Sequence, residues 1–143
     1  MERKAFLRSL GAGAAFALTF PCLQGCSKDG EPGGGEEVPT GVDFTIDLSG
    51  PDGTALQDPG DFIVRNDVVV ARNLEGQFVA ASRICSHEQN PGVSFVDIQG
   101  GIFECYVHGS RFAQDGTPLN AITQNPLKIF NTTLSGNLLR VFD

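Results

Sequence analysis

From Val42 onward the chain alternates between apolar and polar positions. Val42, Phe44, Ile46 and Leu48 stand between Asp43, Thr45 and Asp47, a period of two that predicts a half-buried strand. A turn-rich gap follows, SGPDG and then QDPGD. DFIVRN and DVVVAR read as strands, and Glu75-Gly76 turns into QFVAAS to give a hairpin. VSFVDI and GIFEC flank Gly100-Gly101 as a second hairpin. Asp115-Gly116 marks a turn, and LKIFNTTL and NLLRVF flank Ser135-Gly136 as a third hairpin. No segment sustains a helical period, and no internal repeat appears. The pattern predicts an all-β, antiparallel domain of about 100 residues.

The residues before Val42 follow different rules. Arg3, Lys4 and Arg8 make a basic start, and Leu10 to Phe20, LGAGAAFALTF, is uncharged and mostly apolar. That run suits the core of an export signal and falls short of the ~20 residues a membrane span needs. Leu23-Gln24-Gly25-Cys26 resembles a bacterial lipobox, in which the cysteine becomes the lipidated first residue. ERKAFLR resembles a twin-arginine export motif, with Lys4 where the second arginine would stand. SKDGEPGGGEEVPTG, residues 27–41, carries five glycines, two prolines and four acidic residues with one large apolar residue, Val38. Such a stretch buries too little surface to order itself. The predicted organisation is an export signal over 1–25, lipid attachment at Cys26 with a flexible linker to residue 41, and a folded domain over 42–143. The chain is then expected in a bacterial cell envelope, held to a membrane through its lipid.

Composition adds two constraints. Eighteen glycines and eight prolines fit short strands joined by many turns. The formal net charge of −7 argues against a nucleic-acid partner, because binding a phosphate backbone needs clustered Lys and Arg.

The candidate chemistry lies in two short stretches, ICSHEQ at 84–89 and ECYVHGS at 104–110. They hold both histidines of the chain and two of its four cysteines. Cleavage before Cys26 would remove Cys22 and commit Cys26 to lipid, leaving Cys85 and Cys105. Each Cys–His pair falls on a loop just beyond a predicted strand, and 17 residues separate His87 from Cys105. Three readings stand open on these residues alone. Cys85 and Cys105 could pair as a disulfide, the default for an exported domain. The four could hold one tetrahedral zinc. They could hold a [2Fe–2S] cluster, one iron on two cysteines and the other on two histidines.

The double motif, C-x-H followed by 17 residues and C-x-x-H, closely resembles that of the Rieske iron–sulfur proteins. His108-Gly109-Ser110-Arg111-Phe112 resembles the family's H-G-S-x-[FY]. Gly116 is similar to the glycine of the hairpin that follows, and Pro126-Leu127 to the closing segment. The resemblance covers about residues 42–143. It implies an antiparallel Rieske-type sandwich with a cluster-binding subdomain formed by two loops. It further implies one [2Fe–2S] cluster per chain on Cys85, His87, Cys105 and His108, with the Ser110 hydroxyl bonded to a cluster sulfide.

Histidine ligation places such clusters at roughly −150 to +300 mV. Phe112 stands where high-potential members carry a tyrosine. Asn90 and Val107 stand where they carry a disulfide joining the loops. The chain therefore departs from the iron–sulfur subunit of cytochrome bc complexes. The function implied is one-electron transfer between a redox-protein donor and acceptor, as a free carrier or as a subunit of a larger oxidoreductase. No catalytic residues are expected on the chain itself. The rival reading is a zinc- or disulfide-stabilised β-domain serving as an interaction module.

Overall fold

A computed structural model describes residues 35–143. The expected export signal, Cys26 and the stretch to residue 34 lie outside the described residues. The strands are β1 (Asp43–Asp47), β2 (Phe62–Arg65), β3 (Val68–Arg72), β4 (Phe78–Ser82), β5 (Val93–Val96), β6 (Ile102–Cys105), β7 (Arg111–Phe112), β8 (Ile129–Ser135) and β9 (Leu138–Phe142). Six of them form one sheet in the order β1-β9-β8-β4-β3-β2, and β5-β6-β7 form a second. Every pairing is antiparallel. Strand β8 couples the halves of the large sheet: Ile129 and Phe130 pair with β4, and Asn131 onward pairs with β9.

Turn chemistry fixes the registers. Asn66 and Asp67 link β2 to β3 with φ of 51° and 57°, the two left-handed positions of a type I′ hairpin turn, where Asn and Asp are favoured. Ser135 faces Leu138 across the last hairpin. The first residue between them, Gly136, has φ of 59°, as a type II′ turn requires.

Strand β3 is buried on both faces, which explains its unbroken apolar run. Val69 and Ala71 face one core, with Phe95, Phe103, Phe112 and Leu127. Val68 and Val70 face another, with Ile46, Leu56, Phe130, Leu139 and Val141. Ala80 and Ala81 of β4 divide the same way. The first core lies between the large sheet and the small one. Phe95 and Phe103 meet edge-to-face at 5.4 Å there, a contact worth about 0.5–1.5 kcal/mol beyond the area it buries.

A buried amide joins the two sheets at the end away from the cysteines. Asn73 accepts the Glu75 and Gln77 N–H groups on its Oδ1, and its Nδ2 donates to Gln114 Oε1 at 3.0 Å. Gln114 in turn donates to the carbonyls of Gly100 and Gly101 on the β5–β6 turn.

Two elements differ from expectation. The turn-rich gap after β1 contains a single helical turn, α1 (Pro51–Thr54), with proline at its start where the missing N–H is no loss. Strand β7, only two residues long, pairs with β6 just beyond the second motif.

Candidate metal centre

Strand β4 stops before the first motif for a local reason. The Ser82 hydroxyl donates to the Ile84 carbonyl at 3.0 Å and accepts the Ile84 N–H at 2.9 Å, which turns the backbone out of the ladder. Cys85 therefore lies three residues past the strand rather than at its end. The following loop closes on itself. Cys85 N–H donates to Asn90 O at 2.8 Å, and Gln89 N–H donates to Cys85 O at 2.9 Å. Ser86, His87 and Glu88 are carried at its tip. The second loop is built alike. Cys105 ends β6, Gly109 N–H donates to Cys105 O at 2.8 Å, and Cys105 N–H donates to Ser110 O at 2.9 Å.

The two loops meet at Gly92. Tyr106 N–H donates to its carbonyl at 3.1 Å. A Cβ at this position would lie 2.7 Å from Val107 Cγ2 and 3.1 Å from Cys105 Sγ. Direct packing thus joins the loops at Val107, one of the positions where a disulfide is missing. A third segment backs both loops. Ser86 Oγ donates to Asn125 O at 2.8 Å, and Asn120 Nδ2 donates to Gly109 O at 2.8 Å.

These loops bring the five expected residues to one end of the small sheet. Cys85 and Cys105 are free thiols, 1% and 0% exposed, and belong to the first core. His87 and His108 lie beyond them, their rings edge-to-face at 5.0 Å. Ser110 is fully buried. Burial pushes the Cys105 thiol up and the adjoining Cys85 adds to this, while the backbone N–H groups of Val107 and His108 oppose it.

Two observations test whether a metal group fits. Among the described residues, three buried side-chain polar atoms lack a partner: Arg72 Nε, His87 Nδ1 and Ser110 Oγ. Two of the three are here, and an unpaired buried polar atom is costly enough to need an explanation. Second, the potential ligands are split. The ring nitrogens of His87 and His108 and the carboxylate of Glu88 lie within 4.8 Å of one another, and neither cysteine joins that group. One tetrahedral zinc needs all four donors around a single point. A pair of imidazoles that meets without either thiol suits a cluster with two metal positions better than one zinc.

The Rieske [2Fe–2S] domain model matches residues 36–131, about two thirds of the chain. The chain belongs to the Rieske family. Membership brings one [2Fe–2S] cluster per chain and electron transfer through it.

Among solved structures, the Rieske chain is similar to one from the complex of reduced oxygenase and oxidized ferredoxin in carbazole 1,9a-dioxygenase. The match has 23% identity, covers 59% of this chain and 90% of that one, and has a TM-score of 0.46. It is similar to the plasma-membrane Rieske protein of the cyanobacterium Synechocystis PCC 6803 at 28% identity over 58% and 85% of the two chains, TM-score 0.47. It is also similar to the Sphingomonas yanoikuyae B1 ferredoxin at 18% identity over 63% and 91%, TM-score 0.48. No curated protein matches it.

Glu88, Gly92, Asn120 and Asn125 were not singled out by the sequence. Glu88 and Gly92 stand in or beside the first motif, but neither belongs to a spacing rule. Asn120 and Asn125 are distant in sequence and reach the site only through the fold.

Proposed function

We propose that this Rieske protein is an exported, membrane-tethered one-electron carrier, in which Cys85 and Cys105 hold one iron and His87 and His108 the other. The two imidazoles gather within 4.8 Å without either thiol joining them, which supports this ligand assignment. When bound, the cluster supplies one reversible electron.

The chain's own residues create the conditions for that exchange. Both thiols sit in a packed core that excludes water. The N–H groups of Val107 and His108 favour the thiolate at Cys105, and deprotonation accompanies its loading with metal. Ser110 Oγ, buried without a partner, is a donor in reserve for an acceptor on the cluster. The His108 side chain is 38% exposed, so electrons have a short way in and out. Tyr106 and Val107 on the second loop, and Leu119 and Ile122 on the segment that backs the loops, are exposed apolar residues. They form the surface on which a donor or acceptor docks.

The N-terminal organisation completes the reading: export through residues 1–25, lipid on Cys26, and a linker that ends earlier than the expected residue 41, because Glu36 N–H already donates to Gln89 O at 2.9 Å beside the first motif and Gly41 N–H donates to the Asp143 carboxylate at 2.9 Å. Among the described residues no helix is long and apolar enough to cross a membrane. A domain anchored in this way can serve as a carrier between partners or join a larger oxidoreductase as a subunit.

Iron, sulfide and zinc per chain, with the EPR spectrum of the reduced protein, test the assignment. Two irons, two sulfides and a rhombic signal of mixed histidine–cysteine ligation are expected, lost in Cys85→Ser or His108→Ala. One zinc without sulfide, or a Cys85–Cys105 disulfide, would replace the carrier with an interaction module. Fractionation of Cys26→Ser tests the anchor separately: the variant should leave the membrane fraction.

A further inference from the structure

We propose that Glu88 is the charge by which the electron-exit edge selects its partner, and that the partner presents a cationic side chain to it. This rests on the reading that His87 and His108 hold the iron nearest the surface. Glu88 Oε2 stands 3.4 Å from His108 Nε2, and the Glu88 side chain is 56% exposed. Its carboxylate also lies within 4.8 Å of ring nitrogens of both histidines, so any partner that reaches the imidazoles meets this charge.

No cation of this chain neutralises Glu88 among the described residues. Arg83, just before the loop, pairs with Asp67 at 3.9 Å, and Arg111, just after the second loop, pairs with Glu104 at 2.6 Å. Tyr106 and Val107, which pack against Gly92 of the first loop, and Ile122, which lies against Gly109 of the second, are apolar and exposed. A partner that covers this edge dries the carboxylate. Without a cation opposite, it leaves a buried unpaired charge, which is strongly unfavourable. An apolar face carrying one Lys or Arg satisfies both the apolar residues and the carboxylate, whereas an acidic face is rejected.

The test uses two small one-electron oxidants of opposite charge with the full-length reduced holoprotein. One electron leaves the protein and reduces either hexaammineruthenium(III) to ruthenium(II) or ferricyanide to ferrocyanide. No bond forms or breaks in the protein. Rates are compared after correction for each variant's measured midpoint potential. Screened Coulomb attraction between one carboxylate and a trivalent ion in contact predicts about a fivefold effect at 0.15 M salt. Glu88→Gln should slow the ruthenium reaction and speed the ferricyanide reaction by that factor, and the difference should vanish at 1 M salt. Glu75→Gln, on the β3–β4 turn away from the cysteines, removes the same net charge and should leave both rates as they are. Glu88→Asp should keep the wild-type ratio, and Glu88→Ser replaces Glu88→Gln if that variant loads poorly. An unchanged ratio in a fully loaded Glu88→Gln protein overturns the proposal and leaves the cluster assignment intact. A wild-type chain that holds no iron and sulfide overturns the assignment itself.

Discussion

Ser110→Ala should change sign between the metal-free and the loaded protein. Ser110 is 0% exposed, and its Oγ has no hydrogen-bond partner. A hydroxyl buried in that state costs about 1–3 kcal/mol. Alanine keeps the Cβ and removes only the oxygen, leaving a void smaller than a methyl group. The metal-free variant should therefore be more stable than its parent by about 1 kcal/mol, a rise in Tm of about 4–8 °C for a domain of this size. On the proposed assignment the hydroxyl gains an acceptor in the loaded protein, in a charge-assisted bond worth about 1.5–3 kcal/mol. That bond strengthens as the acceptor gains an electron. If about 1 kcal/mol of it is specific to the reduced state, its loss lowers the midpoint potential by about 40 mV, since a tenfold change in a one-electron equilibrium is about 59 mV. Thermal unfolding of both forms and an EPR-monitored redox titration read the two effects. A metal-free variant less stable than its parent, or a loaded variant with an unmoved midpoint, would refute the reasoning.

The remaining predictions concern the supports of the site and of the fold. Gly92→Ala drives a Cβ against Val107 and the Cys105 sulfur. It should cost about 1–3 kcal/mol as overpacking does and reduce iron per chain, read by denaturant unfolding and metal analysis. Asn73→Ala removes the amide that joins the sheets at their other end. A loss of about 2–3 kcal/mol is expected, with the EPR spectrum unchanged. The Asp143 carboxyl is held below its ordinary value chiefly by its hydrogen bond from Lys128, with the N–H groups of Gly41 and Val42 helping. A carboxyl lowered in the folded state contributes stability that is full above about pH 4 and is lost as pH falls through the lowered value. Asp143→Asn should therefore narrow the gap in stability between neutral pH and about pH 3, measured by thermal unfolding across that range.

The strands were legible because their signals are local. Alternation marked β1, and the Glu-Gly, Gly-Gly and Ser-Gly pairs marked hairpins. Strand β7 escaped because two residues carry no period and its pairing depends on β6. The turn α1 carried a proper start signal, proline after Gly50, but no periodic stretch behind it. At the site, the ligand candidates were legible from spacing, because chemistry fixes the type and separation of donors. The three-residue step from the end of β4 to Cys85 was not, since it depends on how the Ser82 hydroxyl is used. Glu88 and Gly92 stood in plain view with nothing to mark them. A carboxylate becomes informative only when a fold sets it against a histidine, and a missing Cβ only when a sulfur fills its place.

The wall made by β3 also separates the metal site from one half of the core. Both cysteines belong to the core on one side of it, and the core on the other side contains no metal-ligand candidate. Regions of one domain open and close with different free energies. The far half can therefore be complete while the near half is still open at its loops. A loop that opens to take or release its iron then need not disturb the far core. A chain built this way can wait for its iron.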